Sequence, residues 1–247
     1  MIDLHCHILP DIDDGAENMD ISLEMCDIAI NNGINHVVAT PHVNAMCNVD
    51  EFLYYRNRKI NELQHELKEK GLELNIYPGA EVYVNDDIFY ASGLEKLTIN
   101  NSRYLLIEFD FKGVPIRKIV SYLNEIINRD LVPIIAHPER YEFFQFDYDA
   151  INLLAKNGVI FQLNAASLAS LDGPREFELA YAMAYNGVAS FIGTDAHSSE
   201  YRLNNLGEMM EYFPPDISQY NMQNMTHDSA KCVLLDKELP SIDRNEI

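Results

Sequence analysis

Seven short apolar runs punctuate the chain, at residues 2–5, 36–40, 74–78, 104–108, 132–136, 159–163 and 189–193. Each is apolar or β-branched and too short for a helix, so each predicts a strand. The longer amphipathic segments between them predict helices over 20–32, 50–70, 115–129, 149–157 and 174–186. Four of these helices run into a glycine, Gly33, Gly71, Gly158 and Gly187, where a left-handed residue commonly ends a helix. The 50–70 helix is the longest and most charged, and is expected to be the most exposed. Strand–helix alternation this regular predicts parallel βα units in one α/β domain. Seven strands suit a barrel or near-barrel better than a small open sheet. No linker of Pro, Ser or Gly divides the 247 residues, so one domain is expected over 1–247, with a loose polar tail from about residue 241.

Composition narrows the partners. Apolar residues make up 47% of the chain, ample for a core, and 18 Lys+Arg against 39 Asp+Glu leave a net charge of -21. Such a surface repels nucleic acid. A cluster of divalent cations inside an acidic protein can still invert the local field and admit an anionic substrate. The first fourteen residues carry His and Asp in place of a cationic and apolar leader, and no apolar run approaches a membrane span. A cytoplasmic protein without membrane insertion is expected. Cys6, Cys26, Cys47 and Cys232 lack CxxC spacing and read as reduced thiols.

The candidate chemistry lies at the ends of the strands. The first run leads into His5-Cys6-His7, the second into His42, the third into Glu81, and the fourth ends at Glu108. The fifth leads into His137 and the seventh into Asp195-Ala196-His197. In parallel α/β folds that C-terminal edge is where functional sites are built. His-x-His in a strand puts both imidazoles on one face. Taken singly, His42 or His137 reads as an ordinary core histidine, and Glu81 or Glu108 as a salt-bridging carboxylate. Their recurrence at one edge points to metal. Asp11, Asp13 and Asp14 follow the first strand; alone they read as a solvated turn closed by Gly15, but beside His5 and His7 one of them is a further candidate ligand. Mixed imidazole and carboxylate donors favour Mn, Fe or Zn over Mg or Ca. About eight ligands exceed the needs of one ion, so two or three bridged ions fit better.

Arg140 and Arg202 lie just behind His137 and His197 in a chain poor in cations. A guanidinium fork matches phosphate oxygens, although each arginine alone could equally serve a salt bridge. No cysteine is followed by arginine six positions on, and GxSxG, GxGxxG and GxxxxGK[ST] are absent. Cysteine, serine and P-loop chemistries are therefore disfavoured. His36, His65 and His227 receive no role.

The set HCHILPDIDDG, ATPH, PGAE, YLLIEF, PIIAHPERY and GTDAH resembles the PHP (polymerase and histidinol phosphatase) superfamily. Within it the chain is similar to the bacterial manganese-dependent protein-tyrosine phosphatases of capsule and exopolysaccharide operons, from Met1 to about Leu235. The resemblance implies a distorted seven-stranded, TIM-like βα barrel and three divalent metals, with Mn favoured. It implies a first metal on His5, His7, Glu81 and Asp195, and a second on Glu81, Glu108 and His137. It implies a third on Asp14, His42 and His197, with Asp13 as the alternative to Asp14. Arg140 and Arg202 match phosphate-binding positions. The implied reaction is attack of a metal-bridging hydroxide on phosphotyrosine. The implied substrate is the tyrosine-rich tail of a polysaccharide-export kinase. A small-molecule phosphatase, such as one for histidinol phosphate, and a metal-bound module without turnover are the alternatives. The chain departs from some relatives at Val43, where they carry a second histidine, and in the loop 43–49, where Met46 and Cys47 are less polar.

Overall fold

The structure is a computed structural model that describes all residues except 46, 91, 112 and 242–244. Its strands are β1 (Ile2–Cys6), β2 (His36–Ala39), β3 (His42–Val43), β4 (Asn75–Pro78) and β5 (Glu81–Tyr83), followed by β6 (Tyr104–Glu108), β7 (Val132–Ala136), β8 (Ile160–Asn164) and β9 (Phe191–Gly193). All seven runs read from the sequence are present. The two added strands arise because the second and third runs break and resume, so that His42 and Glu81 open strands of their own. Pro41, which has no N–H to donate, sits in the first break.

Every ladder is parallel, in one sheet ordered β1-β2-β4 and another ordered β3-β5-β6-β7-β8-β9. The described residues thus pair as two sheets where a single seven-stranded one is expected. The sheets meet where β1 pairs with the segment just past β9, through the bridge Cys6–Ala196, with Asp195 N–H donating to His5 O at 2.8 Å and His7 N–H to Ala196 O at 2.9 Å. Between strands, α1 (Met19–Asn31), α2 (Val49–Lys70), α3 (Ile116–Ile127) and the helices Tyr148–Lys156 and Pro174–Tyr185 answer to the five helical patterns. Their caps fit the local chemistry: Asn18 and Asn48 accept from the N–H three residues on, and Gly71 closes α2 at φ 70. On α2 the positions Phe52, Arg56, Ile60, Leu63 and Leu67 form the buried stripe, and the remaining faces are largely exposed.

Strand alternation explains how the site is carried. Leu106, Ile160 and Phe191 each precede by two residues a position at the site edge, Glu108, Gln162 and Gly193. These apolar residues pack into one cluster with Ile2, Leu4, Val38, Tyr104, Ile134 and Ala136, capped by Ala230 and Val233. The same strand faces therefore bury hydrocarbon at one end and present polar groups at the other. In β1 the register against β2 shifts between Asp3 and Cys6. That bulge changes the phase of alternation, so Leu4 joins the apolar cluster while His5 reaches Gln162.

Residues 245–247, the described end of the tail, are tied to the body where the sequence suggests a loose segment. Asn245 N–H donates to Asn186 O at 3.0 Å, and Ile247 N–H to Asn152 Oδ1 at 3.1 Å. Lys156 pairs with Glu246. Backbone donors near the terminus find partners on two helices, which a polar composition does not reveal. No helix among the described residues is long and apolar enough to cross a membrane, and all four cysteines are free.

Candidate metal centre

Three groups of donors converge at the C-terminal edge of the strands. His5, His7, Glu81 and Asp195 form one; His42, Glu81 and Glu108 another; His7, Asp14, His42 and His197 a third, each within 4.8 Å. Eight of the nine residues expected from the sequence as ligands fall in these groups. The ninth, His137, stands apart from them but places Nε2 2.9 Å from Glu81 Oε1. The geometry groups His42 with Glu81 and Glu108, and sets His137 against the other oxygen of Glu81.

Glu81 occupies the middle. Its Oε2 lies 3.1 Å from His5 Nε2, 3.2 Å from His7 Nε2 and 3.2 Å from His42 Nδ1, yet is buried without a hydrogen bond. His5 Nε2 and His7 Nε2 face each other at 3.3 Å. Converging lone pairs of this kind repel unless a proton or a cation lies among them. Ligands at about 2.1 Å from one ion and at right angles stand about 3 Å apart, the separation seen here. The donor set therefore fits divalent ions.

The outer nitrogens are held by fixed partners, as in metal sites where a second hydrogen bond selects the tautomer. His5 Nδ1 donates to Gln162 Oε1 at 2.7 Å, His7 Nδ1 to Asp13 Oδ2 at 2.7 Å, and His197 Nδ1 to the Asp195 carbonyl at 2.9 Å. All three then present Nε2 to the centre. Asp13 also accepts from His42 N–H and Gly15 N–H, whereas Asp14 Oδ1 stands 3.4 Å from His42 Nε2 and 3.5 Å from His197 Nε2. The two adjacent aspartates thus face different ways: Asp13 orients histidine, and Asp14 faces the donor atoms.

The sequence predicts the strand at 159–163, which is β8, but assigns no site residue to it. Gln162 Nε2 donates to Asn164 Oδ1 at 3.0 Å, and Asn164 Nδ2 donates to Asp195 Oδ2 at 2.9 Å. The chain His5–Gln162–Asn164–Asp195 links two residues of one donor group through two amides whose orientation it dictates. Glu139 Oε1 accepts from Asn164 N–H at 2.8 Å. Asp3 accepts from Thr194 N–H and Oγ1, joining β1 to the end of β9. The available signal was a polar residue at alternate positions, Gln162 and Asn164, inside an otherwise apolar run.

Arg140 and Arg202 both reach Asp195 Oδ2, at 3.2 and 2.5 Å, while Oδ1 faces His5, His7 and His197. Each guanidinium remains partly exposed. His137, Asp195 and Arg202 all have left-handed backbones, with φ of 34, 51 and 52. Such conformations cost free energy for residues with side chains and cluster at functional sites.

Protonation follows from burial opposed by close charges. Burial pushes His5 down, but Glu81 and Asp195 outweigh it and raise His5 to about 9. His7 rises to about 10 against its burial, through its bond to Asp13 and the Glu81 carboxylate close by. Burial would raise Glu81, yet the charge of His5, the bond from His137 and the close imidazole of His7 hold it well below the carboxylate range. His197 falls to about 4, through burial and then the positive His7. Burial alone lifts Glu139 to about 8, keeping it a neutral acid.

The sequence profile of a family described as capsular polysaccharide synthesis, CpsB/CapC, matches residues 1–235. CapC of Staphylococcus aureus is 34% identical over 80% of this chain and 77% of its own. The tyrosine-protein phosphatase YwqE of Bacillus subtilis (strain 168) is 30% identical over 82% and 79%. Among solved structures, one from the pair YwqE of Bacillus subtilis and CpsB of Streptococcus pneumoniae, described as metal-dependent tyrosine phosphatases, superposes with a TM-score of 0.86. It is 25% identical and covers 100% of this chain and 99% of its own.

Proposed function

The chain belongs to the CpsB/CapC family of capsular polysaccharide synthesis, and from that premise we propose that its three donor groups hold divalent ions for hydrolysis of phosphotyrosine. The protein is an enzyme, a tyrosine-protein phosphatase. One observation carries the assignment of its centre: Asp195 turns Oδ1 to the histidines and Oδ2 to Arg140 and Arg202. A module that merely stored metal would have no use for two guanidinium groups joined to a ligand.

The proposed ligands are His5, His7, Asp14, His42, Glu81, Glu108, His137, Asp195 and His197, with Asp13 as an orienting residue. When bound, divalent ions supply Lewis acidity and bring the pKa of water toward neutrality. Gln162, Asp13 and the Asp195 carbonyl hold a proton on Nδ1 of His5, His7 and His197 and aim Nε2 inward, where a bound ion would take the place of the second proton on His5 and His7. Arg140 and Arg202 exchange part of their contact with Asp195 for the phosphoryl oxygens, and neutralise charge there as the ester bond breaks. A tyrosine phenol has a pKa of about 10, so its departure needs less acid assistance than that of an alkyl alcohol. The mixed N/O donor set admits Mn, Fe or Zn, and the resemblance to the manganese-dependent phosphatases favours Mn.

The finer reading of the fold is a seven-stranded barrel formed by a single domain. Support comes from the order in which β3 continues β2, β5 continues β4, and β1 meets the segment just past β9 at Cys6–Ala196. As substrate we infer a phosphotyrosine protein of the capsule system, the tyrosine-rich tail of its export kinase, met in the cytoplasm. The family and the relatives' activity support that inference.

The test is to strip the purified protein of metal, reload it separately with Mn, Fe and Zn, and assay a phosphotyrosine peptide against histidinol phosphate. Efficient turnover of the peptide is expected, and Arg202→Ala should lower kcat about 100-fold with metal retained. Turnover of histidinol phosphate alone would replace the assignment with a small-molecule phosphatase. Metal retention without any esterase activity would leave a binding module.

A further inference from the structure

Phe111 lies on the loop after β6, and the chemistry above gives it no task. Its ring stacks nearly parallel on Tyr141 at 5.2 Å between centroids and lies 5.5 Å from the His137 ring. The Arg140 guanidinium sits over it, 4.9 Å from the centroid. Tyr141 also accepts Phe109 N–H on its hydroxyl at 3.0 Å, which anchors the loop two residues before Phe111. Tyr141 is fully buried, yet Phe111 remains 41% exposed.

Singly exposed apolar side chains are ordinary on protein surfaces. Tyr90 and Leu171 are more exposed than Phe111. Phe111 differs in being packed against Arg140 and His137 on one side while another part of its surface is open. A ring held this way is preorganised for a partner that arrives with the phosphate.

We propose that Phe111 is the specificity-determining wall of the site and receives the phenyl ring of an aryl phosphate. The inference rests on the phosphatase reading above and deepens it. In an aryl phosphate, one ester oxygen joins phosphorus to the ring. A guanidinium that binds the phosphoryl oxygens therefore brings that ring close to whatever is stacked on the guanidinium itself. Aromatic pairs gain energy beyond the area they bury when centroids lie about 4.5–7 Å apart, offset or edge-on. Alkyl phosphates and inorganic phosphate present the same oxygens without the π face, so Phe111 discriminates against them.

The experiment compares the metal-loaded wild type with Phe111→Ala, Phe111→Leu, Phe111→Tyr and Phe111→Trp. Two quantities are read: KM for a phosphotyrosine peptide, and the inhibition constant of inorganic phosphate, which has no ring. Phe111→Ala and Phe111→Leu should raise KM about 2- to 10-fold and leave the phosphate constant unchanged. Phe111→Tyr and Phe111→Trp should restore KM. Melting temperatures of the leucine variant guard against misfolding. A parallel rise of KM and the phosphate constant would show that Phe111 only positions Arg140, and would overturn the proposal. So would an unchanged KM in the alanine variant. A wild type inert toward phosphotyrosine fails differently, because it sinks the phosphatase reading first.

Discussion

Gln162 shows how much of the centre depends on uncharged residues. Its Oε1 fixes the proton of His5 on Nδ1, and its Nε2 turns Asn164 so that Nδ2 faces Asp195. Gln162→Leu leaves a buried His5 Nδ1 unpaired and free to take the wrong tautomer. Metal affinity should then fall about 10- to 100-fold, read as metal content under chelator competition. Gln162→Glu, which keeps an acceptor for His5, should retain more metal than Gln162→Leu. Equal metal content in wild type and leucine variant would refute this role. His, Asp and Glu at strand ends were legible in the sequence because their chemistry is conspicuous. Gln162 and Asn164 were not, since an amide carries no charge and its task depends on which neighbour it meets. Asp13 and Asp14 could not be separated for the same reason: only the turn decides which one faces His7.

At the level of elements, the loop after β1 hangs on Gly15. The sequence reads this glycine as half of a turn pair, but its φ is not positive. The reason for glycine is proximity: a Cβ there would stand 2.1 Å from His7 O and 2.6 Å from His7 Cβ. Gly15→Ala must push the loop away and carry Asp14 from His42 and His197. Stability should fall by about 1–3 kcal/mol, and metal content by the share held in the Asp14 group, measured by thermal melting and metal analysis together. An unchanged metal content would argue that Asp14 is not needed there. The strands themselves were readable from their apolar runs. Their breaks near Pro41 and Gly79, and the bulge in β1, were not. These features arise where the ladder must bend to let His5, His42 and Glu81 converge.

For the whole molecule, the metal-free state carries opposed groups whose balance depends on pH. An unfolded histidine titrates near about 6.5, and folding raises His5 to about 9 and His7 to about 10. Their contribution is complete below about pH 6.5 and is lost as pH rises through 9 and 10. His197, lowered to about 4, acts in the opposite sense and costs stability as pH falls below about 6.5. The melting temperature of metal-free protein should therefore decline from about pH 7 to about pH 10. Adding divalent metal should raise it and weaken that decline, because metal requires neutral imidazoles and binds the folded state. A metal-free melting temperature that climbs over this range would contradict the arrangement of charges described.

By itself, the sequence determined the α/β class, the parallel pairing implied by alternating elements, and an edge rich in metal-binding side chains. These are local properties: apolar runs of strand length, glycines after helices, and donors placed where strands end. Tertiary structure decided which donors share a group, that His42 stands with Glu81 and Glu108, and that Asp195 joins the histidines to both arginines. It also brought Phe111 onto Arg140 from a different loop. Those relations join residues far apart in the chain, and only packing brings them within reach of one another.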